Sequence, residues 1–370
     1  MKIPLSRPDI TELETGLVLD VLKSPYLSMG PQLGLFEKLV AEFVGTNHAI
    51  AVSSGTAGLH LVVRSLGIKA GDEVITTPFS FVASSNCLLF EGATPVFVDI
   101  EPQTYNLDVH QIEAKITART KAILPVHVFG HPVDMKAIKV LADKHSLFII
   151  EDACEALGSA LEGKPAGSLG TAAVFAFYPN KQITTGEGGM IVTGNPEIAR
   201  LCRSLRNQGR GENSLWLEHS RLGFNYRLDE LSAALGVGQM SRIKEIILQR
   251  AGVANRYSQR LRAIEGVILP QVAPGVEMSW FVYVVRFARG IKRDKVMACL
   301  LKHGVDCRPY FTPIHLQPFF REKFGYKSGD FPVTEEISSS TLALPFYNRL
   351  STEEIEYVAL TLEKAISQAH

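Results

Sequence analysis

The run AAVFAFYPNKQITTGEGGMIVTG (172–194) sets two short apolar stretches, AAVFAFYP (172–179) and GGMIVTG (188–194), around a lysine and a glycine-rich loop. Runs this short, apolar on both alternating faces, read as strands covered on both sides. The same signature recurs upstream in HAIAVSS (48–54), EVITTPF (73–79), TPVFVDI (94–100), KAILPVHVFG (121–130) and LFIIEDAC (147–154). Helical patterns lie between many of them: TAGLHLVVRSLG (56–67), PVDMKAIKVLADKHS (132–146) and, after the last strand, PEIARLCRSLRNQG (196–209). Strands alternating with helices imply an α/β fold with a mainly parallel sheet.

After Asp229 the pattern changes. Residues 229–264 read as one long helix or two nearly continuous ones, with central glycines that weaken continuity. The remainder reads as a smaller α+β unit: a strand at 279–287, a helix at 292–304, and a last helix at 351–367 that opens on a capping box of Ser351 with Glu354. The expected division is a large domain at 1–250 and a small one at 251–370, with the N-terminal segment able to pack on the small one.

Composition narrows the function. The 370 residues carry 38 Lys+Arg against 38 Asp+Glu, so no net field draws the chain to nucleic acid or an acidic membrane. The five cysteines are scattered without metal-ligand spacing, which fits thiols in a reducing compartment. No apolar run resembles a signal peptide or spans a bilayer, and a cytoplasmic protein is expected.

In open α/β sheets ligands gather at the carboxyl ends of the strands, so the residues that follow each strand are the candidates. After 48–54 comes SSGTAG. Its Gly55 and Thr56 open a helix whose first N–H groups suit a phosphate, although a plain helix cap reads the same way. Asp152 ends an apolar strand, where a carboxylate is costly unless paired; a ligand's cation or a helix start would each serve. Lys181 alone is an ordinary loop lysine. Drawn partly out of water, a lysine becomes a nucleophile or a base. The tight glycines of 184–189 suggest backbone shaped around something. Phosphate turn, strand-end acid and lysine, in that order, are what pyridoxal 5'-phosphate (PLP) needs: an anion site, an acid for its ring nitrogen and an amine for its aldehyde.

At this point the chain resembles the DegT-type sugar-nucleotide aminotransferases, which have the fold-type I aspartate aminotransferase architecture. The resemblance runs through PYLSMGPQLGLFE (25–37), SSGTAGLHL (53–61), GDEVITTPFSFVAS (71–84), GATPVFVDI (92–100), EDACEALGS (151–159), FAFYPNKQITTGEGG (175–189), GFNYRLDELSAALG (223–236) and RPYFTPIH (308–315). It implies a mainly parallel seven-stranded sheet in the large domain. It implies that Lys181 carries the cofactor covalently, that Asp152 pairs with the ring nitrogen, and that Gly55 and Thr56 hold the phosphate. Phe81 stacks on the ring, and Glu155 lies beside the ring hydroxyl. Asn225 reaches the phosphate of a neighbouring subunit, so a homodimer with shared active sites is expected. Where many members have a phosphate-binding serine before the lysine, this chain has Ala176.

The resemblance also implies a reaction. A lysine at this position, rather than a histidine, points to transamination, with pyridoxamine phosphate as the cofactor's other form and glutamate as the amino donor. The TTGEGG loop is similar to that of members that aminate C4 of a nucleotide-linked 4-keto-6-deoxy sugar. Ser28, Arg308 and His315 match positions near the substrate. Amination of a 3-keto sugar nucleotide, a dehydrating aromatic amino acid synthase and a non-catalytic PLP-binding regulator are the alternatives. No metal is expected.

Overall fold

A computed structural model of the chain describes residues 1–211, 215 and 218–369. Its centre is a seven-stranded sheet built from β1 (His48–Val52), β2 (Glu73–Thr76), β3 (Thr94–Phe97), β4 (Thr120–Ile123), β5 (Phe148–Asp152), β6 (Ala172–Ala176) and β7 (Gly189–Thr193). The spatial order is β1-β7-β6-β5-β4-β2-β3. Six strands run parallel. β7 alone runs against both of its neighbours, because the chain returns directly from β6 through the loop that carries Lys181.

The period-2 pattern explains how the sheet is covered. On β1, Ile50 and Val52 face one core while Ala49 and Ala51 face another, and β7 divides Ile191 from Met190 and Val192 in the same way. The helix Gly55–Ser65 covers the first face; Pro31–Val44 and Glu230–Ser241 cover the second. Each fully buried Val or Ile of these strands contributes about 1.5–3 kcal/mol of transfer free energy. The helix Pro31–Val44 has no side-chain cap of its own. Glu230 supplies one from 200 residues away, accepting from the N–H groups of Gly30 (2.9 Å), Gln32 (2.8 Å) and Leu33 (2.9 Å). A carboxylate at a helix start answers both the orphan donors and the helix dipole.

The long helical stretch after Asp229 is two helices, Glu230–Ser241 and Ile243–Leu261, and the break falls at Arg242 rather than at the glycines. Those glycines serve packing. A Cβ on Gly236 would lie 2.7 Å from the Phe36 ring, and one on Gly238 would lie 2.8 Å from Glu14 Cγ. The second helix continues across residue 250, where sequence placed the domain boundary. A three-stranded antiparallel sheet follows, with Tyr283–Phe287 between Val267–Ile268 and Thr341–Leu344. The N-terminus joins this smaller unit: Ile3 donates to Gly304 O (2.8 Å) and accepts from Asp306 N–H (3.0 Å). The capping box of the last helix forms with both of its bonds, Ser351 with Glu354.

Candidate active site

Four parallel strands end at one sheet edge, and their following residues meet in a cleft of about 1120 Å³. That is enough for a cofactor and a second ligand together. Gly55, Thr56, Phe81, Asp152, Glu155 and Lys181 all line it.

The phosphate turn follows β1. Ser54 caps the helix Gly55–Ser65, its Oγ accepting from Ala57 N–H at 3.1 Å. The N–H groups of Gly55 and Thr56, in the first turn, take no acceptor among the described residues and remain available to an anion. The approach is close on every side. A Cβ on Gly55 would lie 2.8 Å from Ala176 Cβ and 2.9 Å from Cys154 Sγ. One on Gly189 would lie 2.5 Å from Ser54 O. The glycines of the 184–189 loop therefore let β7 pass directly beneath the turn. Gly186 makes the bend at φ +81°. Burial, and next the Asp152 carboxylate, push the Cys154 thiol well above its usual range, so it stays protonated here.

Asp152 and Glu151 stand side by side on β5 and face opposite ways, as strand geometry requires. Glu151 is fully buried and structural. It accepts from the N–H groups of Gly167 (2.8 Å), Leu169 (2.8 Å) and Gly170 (2.5 Å) and from His127 Nε2 (3.0 Å). His127 is thus a satisfied core histidine. Asp152 looks into the cleft with fewer partners: Ser84 Oγ–H donates to Oδ2 at 2.7 Å and Cys154 N–H to Oδ1 at 3.1 Å. Ser80 Oγ–H donates in turn to Ser84 Oγ at 2.9 Å. This hydroxyl pair flanks Phe81, a residue that is 63% exposed and lines the cleft.

Lys181 Nζ lies 3.4 Å from Glu155 Oε1 and 3.9 Å from the centre of the Phe281 ring. Its side chain is 13% exposed, so it is no longer the solvated loop lysine that its residue type suggests. Burial pushes the Glu155 carboxyl up, against the opposing pull of Lys181 and of Phe129 N–H, which donates to Oε2 at 2.9 Å.

Four sequence candidates lie off the cleft lining. Ser28 is exposed and pairs by backbone with Asp229. Asn225 is exposed on the loop after Gly223, away from its own chain's cleft. Arg308 is exposed and donates to Cys307 O at 2.8 Å. His315 is fully buried: Nε2 meets Glu335 Oε1 at 3.1 Å and the ring packs on Phe331, so in this structure it reaches no ligand-sized space. Residues between the last two, Tyr310 and Phe311 among them, line the cleft instead. Tyr310, Phe281 and Ser84 carried no sequence signal beyond an aromatic or a hydroxyl in a strand or turn.

The residues present fit PLP. A helix start with two free N–H groups, an exposed aromatic, a buried carboxylate and a partly buried amine are the donor set that a phosphorylated pyridine aldehyde requires. Among the described residues no group of three His, Cys, Asp or Glu could hold a metal, and no helix is long and apolar enough to cross a membrane. Fold and site together define a PLP-dependent aminotransferase of fold type I. The chain belongs to the DegT/DnrJ/EryC1/StrS aminotransferase family, whose pattern matches residues 8–363. It is 38% identical to the GDP-perosamine synthase of Caulobacter vibrioides over 99% of this chain and 98% of that protein. Among solved structures it superposes on DesV of S. venezuelae, in complex with a ketimine intermediate, with a TM-score of 0.92 and 33% identity over all of both chains. It also superposes on Helicobacter pylori PseC, an aminotransferase involved in the biosynthesis of pseudoaminic acid, with a TM-score of 0.95 and 29% identity over all of both chains.

Proposed function

We propose that the protein transfers an amino group from glutamate to C4 of a nucleotide-linked 4-keto-6-deoxy sugar, in two half-reactions that use one site in turn. The observation that carries this reading is the convergence of Lys181, Asp152 and the Gly55–Thr56 turn on one cleft. The similarity to a GDP-perosamine synthase and to PseC, an aminotransferase involved in the biosynthesis of pseudoaminic acid, supports the substrate class.

PLP, when bound, supplies the electron sink. The remaining work falls to the chain. The Gly55 and Thr56 N–H groups hold the phosphate, and Phe81 supports the ring. Asp152, oriented by Ser84, keeps the proton on the ring nitrogen. Glu155, whose burial favours its protonated form, meets the ring hydroxyl without charge repulsion. Lys181 would hold the cofactor through its amine, and that amine, when free, would carry the proton at the substrate carbon. Asn225 serves the site of a second copy, which makes the homodimer the working unit, and Ser28 and Arg308 are assigned to the substrate side, while buried His315 is not. Alternating substrates give ping-pong kinetics.

The test is incubation with glutamate and UDP-, GDP- or dTDP-linked 3- and 4-keto sugars, with NMR of the product. A new amine at C4 is expected. Amination at C3 would correct the regiochemistry, and no turnover with any ketosugar would overturn the reading.

A further inference from the structure

The cleft wall opposite the sheet edge contains a contact that the reaction above does not use. Phe281 is 2% exposed, and its ring face lies under the amine of Lys181 at 3.9 Å. The carboxylate on the other side, Glu155, stands at 3.4 Å, longer than an ordinary charge-assisted hydrogen bond. The ring is therefore the better-fitted partner of the free ammonium.

The segment that carries this ring is tied down more heavily than packing alone requires. Ser279 N–H donates to Ser159 Oγ at 3.0 Å. Gln182, the residue after the lysine, donates from Nε2 to Ser279 Oγ (2.8 Å) and to Glu155 O (2.6 Å). Arg250 donates from Nε to Trp280 O and from Nη2 to Phe281 O, both at 2.7 Å. A third bond runs from its Nη1 to Asn348 Oδ1 at 2.9 Å. Arg250 is 3% exposed and pairs with no carboxylate among the described residues. A buried guanidinium that meets only neutral oxygens and, at 4.9 Å, the Phe346 ring is costly unless those bonds hold something in place. What they hold is Trp280, at φ +54°, a conformation that L residues seldom adopt. Arg250 on one side and Gln182 on the other thus fix the turn from which the Phe281 ring projects toward the lysine.

We propose that the Ser279–Phe281 segment is a positioning device for the reacting amine. Phe281 is the seat on which Lys181 Nζ rests whenever that amine is not bonded to a ligand, and Arg250 and Gln182 hold the seat in register. The inference rests on the reading of Lys181 as the reacting amine. In that cycle the lysine is free for half of each turnover and must return to the same carbon. A seat that is apolar yet attractive to a cation keeps the amine near the cofactor and its ion pair with Glu155 long, at 3.4 Å. An ion pair with Glu155 alone would draw it deeper.

The test needs a readout other than turnover. The full-length protein is equilibrated with pyridoxamine phosphate, which leaves the lysine unbonded, and trace-labelled with acetic anhydride across pH. Peptide mass spectrometry then gives the pH of half-maximal labelling at Lys181. Phe281→Leu keeps the apolar cover but removes the π face, and is expected to lower that pH by about one unit. Phe281→Tyr keeps the face and is expected to restore the wild-type curve. Arg250→Lys, which cannot span both carbonyls, is expected to shift it in the same direction by less. The other groups on the cleft that can carry charge, Asp152, Cys154, Glu155, Tyr178, Glu187 and Tyr310, are unchanged in these variants. Phe281→Met replaces the leucine variant if that one fails to fold. A wild-type curve in a folded Phe281→Leu or Phe281→Met protein overturns the proposal. Borohydride reduction of the same PLP-loaded variants separates the two readings: pyridoxyl label on Lys181 upholds the site, and its absence in the wild type would overturn the site instead.

Discussion

The two walls of the cleft are built on different principles. The wall at the sheet edge consists of strand ends: Gly55 and Thr56 after β1, Asp152 at the end of β5, and Lys181 after β6. Each is a polar or glycine residue that interrupts an apolar run. The opposite wall consists of Phe281, Tyr310, Phe311 and Phe319, aromatics contributed by later segments of the chain. The first wall carries groups that exchange protons and bind charge. The second carries faces that shape the space and hold what lies in it. Changes to the first wall should therefore act on chemistry and cofactor retention, and changes on the second side, apart from Phe281 beneath the amine, should act mainly on substrate affinity.

The largest effect belongs to Lys181→Ala. Loss of both nucleophile and proton carrier is expected to slow the glutamate half-reaction on the order of 10⁴-fold, read in single-turnover absorbance. Asp152→Asn comes next. It keeps the bond from Ser84 but removes the charge opposite the ring nitrogen. A charged hydrogen bond is worth about 1.5–3 kcal/mol, so cofactor affinity should fall roughly ten- to a hundredfold in equilibrium titration. Arg308→Ala tests the substrate side. It should raise KM for the nucleotide sugar about tenfold and leave the glutamate half-reaction unmoved. An equal loss in both half-reactions would remove Arg308, which lies off both walls, from the substrate side.

A gain is expected at Ala176. It lines the cleft against the phosphate turn, where a Cβ on Gly55 would lie 2.8 Å from its own Cβ. Ala176→Ser adds a hydroxyl there and should tighten PLP retention about tenfold, measured by dialysis and absorbance.

The smallest effect lies away from both walls. Glu14 is buried, which raises its pKa, but bonds from Thr11, Gln239 and Arg242 outweigh burial and bring it down to about 2. A depressed carboxyl contributes stability above its ordinary value of 4.5, and that contribution is lost as pH falls toward 2. The wild type should lose more thermal stability than Glu14→Gln between those values. Parallel losses in the two proteins would remove Glu14 from the account.

The same difference between the walls governs what was legible in the sequence. A carboxylate or a lysine at the end of an apolar strand stands out, and parallel strands bring such ends to one edge whatever lies between them in the chain. Asp152 was visible for that reason, while its neighbour Glu151 was not assignable until the strand's facing was known. Phe281 was invisible because SWFVYVVRF reads the same whether its second aromatic packs in a core or under an amine. RPYFTPIH showed its charged members first, yet Tyr310 and Phe311 reach the cleft, and His315 is buried behind them. The glycines after Asp229 suggested a break in the helix. They instead admit Phe36 and Glu14, a packing role that only the folded neighbours reveal.

The central claim is that Lys181 is the reacting amine of a PLP site completed by Asp152 and the Gly55–Thr56 turn. Borohydride reduction of the PLP-loaded protein, followed by peptide mass mapping, tests it most directly. The account predicts a single pyridoxyl group on the peptide containing Lys181. A reduced, cofactor-loaded protein with Lys181 unmodified would contradict it.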